Sequence, residues 1–87
     1  MTREDVINII QSERLKSYNL NENRYNREDE VVIKQENNTW IVYVTDERAS
    51  KVTGSEEVFI SEKDAWSNFI KRLRILNRIK NRKVEYK

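Results

Sequence analysis

The chain has 87 residues, with 17 Lys and Arg against 15 Asp and Glu, and it contains no cysteine or histidine. This length predicts one domain spanning 1–87, and a 37% share of hydrophobic residues in periodic blocks argues against a disordered chain. The lack of cysteine excludes disulfides and thiolate metal sites, and without histidine the commonest metal ligand and general base are missing, so we predict no cofactor and no metal.

The first predicted element is an N-terminal helix. Thr2, followed three residues later by Asp5, forms a capping-box pattern. Apolar residues then recur at helical spacing: Val6, Ile9, Ile10 and Leu15. The asparagine-rich stretch 17–29 predicts loops, because asparagine accepts turn conformations. Within it, Tyr18 and Leu20 alternate with polar residues and indicate a short strand at 17–21.

A β-hairpin is the clearest strand signal. Two β-rich runs, 31–36 and 39–45, surround Asn37-Asn38, which predicts a type I′ turn and a register that sets Ile33 opposite Val42. One face of the hairpin is then suited to the core: Val31, Ile33, Trp40, Val42 and Val44. The other face carries Val32, Lys34, Ile41 and Tyr43. We expect the first helix to cover Val32 and Ile41 and Tyr43 to remain exposed.

A further strand at 57–60 precedes the last helix. Ser61 ends the strand and caps the helix, with Asp64 three residues later as a second capping box. The predicted fold class is α+β: a small antiparallel sheet of three to four strands with an N-terminal and a C-terminal helix. The predicted order is α-β-β-β-α, and the short strand at 17–21, after the first helix, would be the fourth strand.

The C-terminal helix is predicted from residue 62 to about Asn81. Its apolar stripe points to the core: Ala65, Trp66, Phe69, Ile70, Leu73 and Leu76. Ile75 and Ile79 lie off that stripe and are expected to be partly exposed.

Charge is divided unevenly along the chain. Residues 1–70 hold 9 bases and 14 acids, a net of −5, whereas 71–87 hold 8 bases and one acid, a net of +7. Four bases on this helical tail are candidate contacts to nucleic-acid phosphates: Lys71, Arg74, Arg78 and Arg82. Alternatively, these charges complement the helix dipole or pair with the acidic remainder of the chain.

An acidic loop follows the central strand directly. Functional residues often lie on loops that a rigid sheet positions, although Asp46-Glu47-Arg48 could equally form a turn with a local ion pair. Neighbouring carboxylates in loops are usually solvated and do not form a catalytic pair, so we do not predict an enzyme. The candidate partner-binding residues are Tyr43, Asp46, Glu47, Arg48, Glu56 and Glu57.

Two segments, 27–33 and 40–49, resemble the immunity protein 59 group of bacterial polymorphic-toxin systems. The ending is similar as well, with Val58-Phe59 before a helix that carries Ala65, Phe69, Leu73 and Asn77, and the likeness spans about residues 3–78. The resemblance implies a non-catalytic protein that binds a cognate toxin, and it implies that the strand end at Tyr43 and Asp46–Arg48 matters. The basic tail after Arg78 lies outside this likeness.

Two functions follow as hypotheses. The first is toxin neutralisation by direct protein–protein contact, where an acidic body suits a basic toxin because complementary charge speeds encounter. The alternative is a small nucleic-acid-associated regulator that uses the basic helix. The polar N-terminus lacks the apolar segment of a signal peptide, and the longest apolar run, Trp40 to Val44, is too short to cross a bilayer. We therefore expect a cytoplasmic protein without a membrane partner.

Overall fold

Along the chain, one helix precedes and one helix follows the four strands of a sheet, as the sequence predicts. The computed structural model describes the backbone of residues 1–85 and the side chains of residues 1–80. The elements are α1 (Arg3–Glu13), β1 (Tyr18–Leu20), β2 (Val31–Glu36), β3 (Thr39–Val44), β4 (Glu57–Phe59) and α2 (Glu62–Glu85). The α+β class is confirmed. Within the described part of the chain, neither helix is long and apolar enough to cross a membrane.

The sheet has the order β1-β2-β3-β4 and is mixed. β2, β3 and β4 are antiparallel, and the hairpin register is the predicted one, with Ile33 opposite Val42. β1 is the exception because it pairs with β2 in parallel, with Tyr18 opposite Val31. A parallel neighbour requires a connection that returns to the starting end of the sheet. Residues 21–30, which we call the crossover loop, provide that return.

The hairpin turn differs from the predicted type. A type I′ turn requires a positive φ at both central residues, but only Asn37 has one, at 54°. The type I′ prediction is therefore wrong, whereas the register is unaffected because the loop still contains two residues.

Both helix starts carry a side-chain cap, but only the first has the complete capping box that was predicted for both. Thr2 Oγ1 accepts from the Asp5 N–H at 3.2 Å, and the Asp5 carboxylate accepts from the Thr2 N–H at 3.0 Å, which completes the capping box. Ser61 Oγ accepts from the Asp64 N–H at 3.3 Å. α2 continues to Glu85, past the predicted end near Asn81.

The core lies between the sheet and both helices, which share one face. Trp66 is its centre: its ring lies 5.5 Å from that of Trp40 and 5.9 Å from that of Phe69. Its indole N–H donates to Glu62 at 2.9 Å, so the ring is buried without losing its hydrogen bond. The predicted inner face is confirmed, and the buried cluster consists of Val6, Ile10, Val31, Ile33, Trp40, Val42, Ala65, Trp66, Phe69, Ile70 and Leu73.

The outer face of the sheet is covered in a different way from our prediction. We expected α1 to cover Val32 and Ile41, but Val6 and Ile10 of α1 belong to the inner core. The crossover loop lies against the outer face instead, and Val32 is fully buried while Ile41 is half-buried. A polar loop can perform this role because its own polar groups are bonded to each other and to the sheet.

The conformation at Asn37 generates a test of the hairpin. Asn37→Ala is expected to lower the free energy of unfolding by about 1–2 kcal/mol, because a residue with a Cβ atom and no local side-chain hydrogen bond is disfavoured at positive φ. Asn38→Ala, the matched control, is expected to change it by less than about 0.5 kcal/mol. Urea denaturation monitored by tryptophan fluorescence measures both, and equal losses would contradict the assigned turn.

Candidate partner-binding surface

Two acidic segments that are distant in sequence meet at one end of the sheet. Here β2 begins and β3 ends, so residues 27–30 lie beside residues 45–48. The Asp29 N–H donates to the Asp46 carbonyl at 3.0 Å, and the Thr45 N–H donates to the Glu30 carbonyl at 2.9 Å. Thr45 Oγ1 also donates to the Arg27 carbonyl at 2.7 Å. We call this paired structure the acidic double loop.

A buried ion pair between Arg24 and Glu30 holds the acidic double loop in place. The Glu30 side chain is only 2% exposed, and its carboxylate accepts from Arg24 at 2.7 and 3.1 Å and from the Arg27 N–H at 2.8 Å. The Arg24 guanidinium also donates to the carbonyls of Tyr18 and Tyr25. One cation therefore connects β1, the crossover loop and the start of β2.

The environment of Glu30 stabilises its charged form. Burial by itself raises the pKa of the Glu30 carboxyl, but the hydrogen bonds from Arg24 and Arg27 and the nearby positive charge outweigh that effect. The net result is a pKa below the ordinary value of 4.5. Arg24 Nε lies 3.5 Å from a carboxylate oxygen of Glu22 but makes no hydrogen bond, so the pair with Glu30 dominates its interactions.

Asp46 shapes its loop more than it presents a charge. Its Oδ1 accepts from the backbone N–H groups of Arg48 at 2.8 Å and Ser50 at 3.0 Å, which closes the turn. Hydrogen bonds from Ser50 and Arg48 hold the pKa of the Asp46 carboxyl below its usual range. The contact to Arg48 is therefore to its backbone and not the side-chain ion pair that a local turn suggested. Glu47 and Arg48 remain exposed.

Tyr43 is not exposed, and that expectation is wrong. It is 7% exposed, because the crossover loop covers it. Its hydroxyl donates to Asn26 Oδ1 at 2.8 Å, and Lys51 Nζ lies 5.1 Å from the ring centroid. Burial raises the pKa of the Tyr43 hydroxyl. Tyr43 supports the loop from beneath and offers no surface to a partner.

Glu56 and Glu57 are both engaged in ion pairs. Glu56 pairs with Lys51, and Glu57 accepts from Arg72 of α2 at 2.8 Å. The Arg72 guanidinium also donates to the Ser55 carbonyl at 2.7 Å, so this contact fastens the 50–56 connection to the helix. These two predicted site residues serve the attachment of β4.

The basic residues of α2 are divided between two roles. Arg74 donates to both carboxylate oxygens of Glu13 at 3.0 and 2.6 Å, which ties α2 to α1, and this contact lowers the pKa of Glu13. Lys71 and Arg78 are exposed, and no ion pair within residues 1–80 involves them. The side chain of Arg82 lies outside the described residues.

An apolar groove adjoins the double loop, and sequence reasoning did not identify it. It has a volume of about 250 Å³ and lies between the second half of α2 and the end of β3. Its lining is Glu30, Val44, Thr45, Arg72, Ile75, Leu76 and Ile79. Only the predicted exposure of Ile75 and Ile79 pointed to it, and they are 44% and 47% exposed. On the other side of Glu30, a depression of about 460 Å³ reaches Leu15, Tyr18 and Glu28.

Comparison with known proteins gives no relative. No protein-family model, no curated protein and no solved structure matches the chain. Among the residues with described side chains, no group of three acidic side chains is arranged to hold a metal ion. The resemblance to the immunity protein 59 group is therefore a hypothesis that depends on the sequence segments quoted above.

The buried pair can be tested with a double-mutant cycle. Glu30→Leu is expected to lower the free energy of unfolding by about 3–5 kcal/mol, because it leaves the Arg24 charge without its carboxylate. Arg24→Met alone is also expected to destabilise, because it leaves the buried Glu30 carboxylate without its cation. Arg24→Met/Glu30→Leu is expected to lose less than the sum of the two single variants, since both desolvated charges are removed. Urea denaturation of the variants gives the coupling energy, and strictly additive losses would show that the two side chains do not act as a pair.

The lowered pKa of Glu30 also predicts a pH dependence. A carboxyl whose folded-state pKa is depressed contributes stability above its unfolded pKa, and that contribution is lost as the pH falls through the folded value. Unfolding free energies measured by urea between about pH 3 and pH 7 should therefore fall less steeply toward acid in Arg24→Met/Glu30→Leu than in the wild type. Glu47→Gln, at an exposed carboxyl that makes no ion pair with the described residues, controls for the loss of one carboxyl. Parallel curves for wild type and double variant would reject the assignment.

Proposed function

We propose that the chain is an immunity protein that binds a bacterial toxin and blocks it by direct contact. The observation that carries the proposal is the acidic double loop, which presents carboxylates from two separate segments on a fixed base. Residues 27–30 and 45–48, which form it, lie within the two segments, 27–33 and 40–49, that resemble the immunity protein 59 group. A surface held in one conformation before binding loses less entropy on association.

The exposed members of the double loop are the proposed contacts. Glu28, Glu47 and Arg48 are exposed, and Asp29 and Asp46 are partly exposed. In residues 27–30 and 46–48, the four acids other than the buried Glu30 outnumber Arg27 and Arg48. This balance suits a toxin whose active site or neighbouring surface is basic, as in an enzyme that cuts nucleic acid.

The alternative is a nucleic-acid-associated regulator. Lys71 and Arg78 are available for phosphate contacts, but Arg74 is engaged by Glu13 and Lys80 donates to Ser17 at 2.6 Å. Two of the described bases are thus occupied in attaching α2 to the α1 end of the molecule. This arrangement favours the toxin hypothesis over the alternative.

A capture experiment separates the two functions. The tagged chain is purified from its native cells with and without nuclease, at low and high salt, and the bound material is identified. The captured protein is then expressed alone and together with the chain. A captured protein that stops growth only when the chain is absent supports immunity. Bound material that disappears with nuclease supports the alternative, and a captured protein without toxicity rejects the immunity function.

Charge reversal then locates the interface. Glu28→Lys/Glu47→Lys is expected to weaken the toxin complex by about 10- to 100-fold at low salt, mainly through slower association, because rim charges act on encounter. Asp46 is left unchanged, since its loss would open the loop. Glu36→Lys/Glu4→Lys, two exposed acids outside the double loop, is the matched control. Calorimetry and stopped-flow measure the effect, and equal losses in both pairs would place the interface elsewhere.

A further inference from the structure

The second half of α2 extends past the core. The helix has 24 residues and is therefore about 36 Å long, whereas a six-residue strand such as β2 spans only about 20 Å. Among its side chains up to Lys80, Leu73 is the last that is fully buried, and Leu76 is the one after it that packs against the core. Asn77 and Lys80 attach the extension to residues 16–17 on one side. On another side, Ile75, Arg78 and Ile79 are exposed.

The uncovered side carries an apolar seam. Ile75 and Ile79 lie four residues apart, which places them one above the other on the helix surface. They are 44% and 47% exposed, and they form one wall of the apolar groove whose opposite wall is Val44 and Thr45. We call Ile75, Ile79 and this groove the α2 seam. Its concave shape fits a side chain inserted from a partner.

The charge beside the seam is basic. Ile75 also borders a second depression, of about 480 Å³, whose lining includes Lys71, Arg74 and Arg78. Arg74 is neutralised by Glu13, while Lys71 and Arg78 are exposed. A second copy of α2 on this seam would bring like charges together, which disfavours self-association. The complementary occupant is acidic along the side that meets α2.

We propose that the α2 seam binds an acidic amphipathic helix of another protein. Such a helix would insert apolar residues at i, i+3 or i+4 and i+7 between the isoleucines and the end of β3. Its carboxylates would lie along Lys71 and Arg78, as the flanking charges of a coiled coil select a partner. The double loop on the far side of the groove is acidic, so the occupant is acidic on one flank only. This surface is separate from the toxin contacts proposed above and does not depend on them.

Two other classes of macromolecule fit the seam less well. A nucleic acid would use Lys71 and Arg78 but would gain nothing from burying Ile75 and Ile79 in a groove. A membrane surface requires an apolar face that protrudes into lipid, whereas this one is concave. The isoleucines and the bases together favour a helix, which uses both.

Designed peptides test the proposal directly. Two 21-residue peptides, designed as helices, both carry leucines at heptad spacing and glutamines along one flank of the leucines. Along the other flank, one peptide carries glutamate and the second carries lysine. A third replaces the leucines of the glutamate peptide with serine. Fluorescence anisotropy with the full chain is expected to show binding of the glutamate peptide at least about tenfold tighter than binding of the other two. A labelled single-stranded DNA, a duplex DNA and vesicles with anionic lipid are measured in parallel.

Variants with matched controls identify the surface. Ile75→Ser/Ile79→Ser and Lys71→Glu/Arg78→Glu are each expected to weaken the glutamate peptide by about tenfold or more. Ile60→Ser changes an isoleucine that is 89% exposed outside the seam, and Lys63→Glu changes an exposed lysine in the first turn of α2. Both controls should bind as the wild type does, and thermal melts confirm that each variant is folded.

Four results would overturn the proposal. The first is no binding of the glutamate peptide, and the second is equal binding of the glutamate and lysine peptides. The third is binding of DNA or vesicles that Lys71→Glu/Arg78→Glu abolishes and Ile75→Ser/Ile79→Ser does not. The fourth is a dimer in sedimentation equilibrium that Ile75→Ser/Ile79→Ser dissociates, which would make a second copy the occupant.

Discussion

The ion pair between Arg24 and Glu30 is the interaction on which the rest of the outer structure depends. The crossover loop has no apolar stripe, so it cannot attach to the sheet by burying hydrophobic side chains. It attaches because Arg24 connects the carbonyls of Tyr18 and Tyr25 to the carboxylate of Glu30, which immediately precedes β2. A charge pair of this kind gains little net stability over apolar side chains, but loss of one partner leaves a buried charge, so it specifies one conformation strongly.

Several features of the fold follow from local sequence signals. The capping box at Thr2 and the cap at Ser61 determine where the helices begin. The alternation of side chains on both sides of Asn37-Asn38 determines the hairpin register. These signals are readable because each depends on residues within a few positions of one another. The cover of the outer face was not readable. It depends on Arg24 meeting Glu30 and on Asn26 meeting Tyr43, and no periodicity marks such polar contacts.

The candidate site was predictable in part for the same reason. The position of the 46–48 loop after a strand pointed to it, and Glu47 and Arg48 are indeed exposed. The pairing of that loop with residues 27–30 required the three-dimensional register, and so did the burial of Tyr43. Asp46 shows why charge alone misleads: its carboxylate accepts two backbone N–H groups, so an acid in a candidate binding loop is a part of the loop's own structure.

The double loop and the α2 seam meet at Glu30 and Thr45, which contribute to both. A change in either residue would disturb two surfaces at once, and lost binding in such a variant would not locate a partner. Residues with an exposed side chain and no structural hydrogen bond are the informative ones, because their removal leaves the framework intact. Glu28 and Glu47 meet that condition on the double loop, as Lys71 and Ile75 do on the seam. The two sets share no residue. If variants of one set weaken the binding of one partner only, and variants of the other set weaken the binding of a second partner only, the domain has two independent binding surfaces.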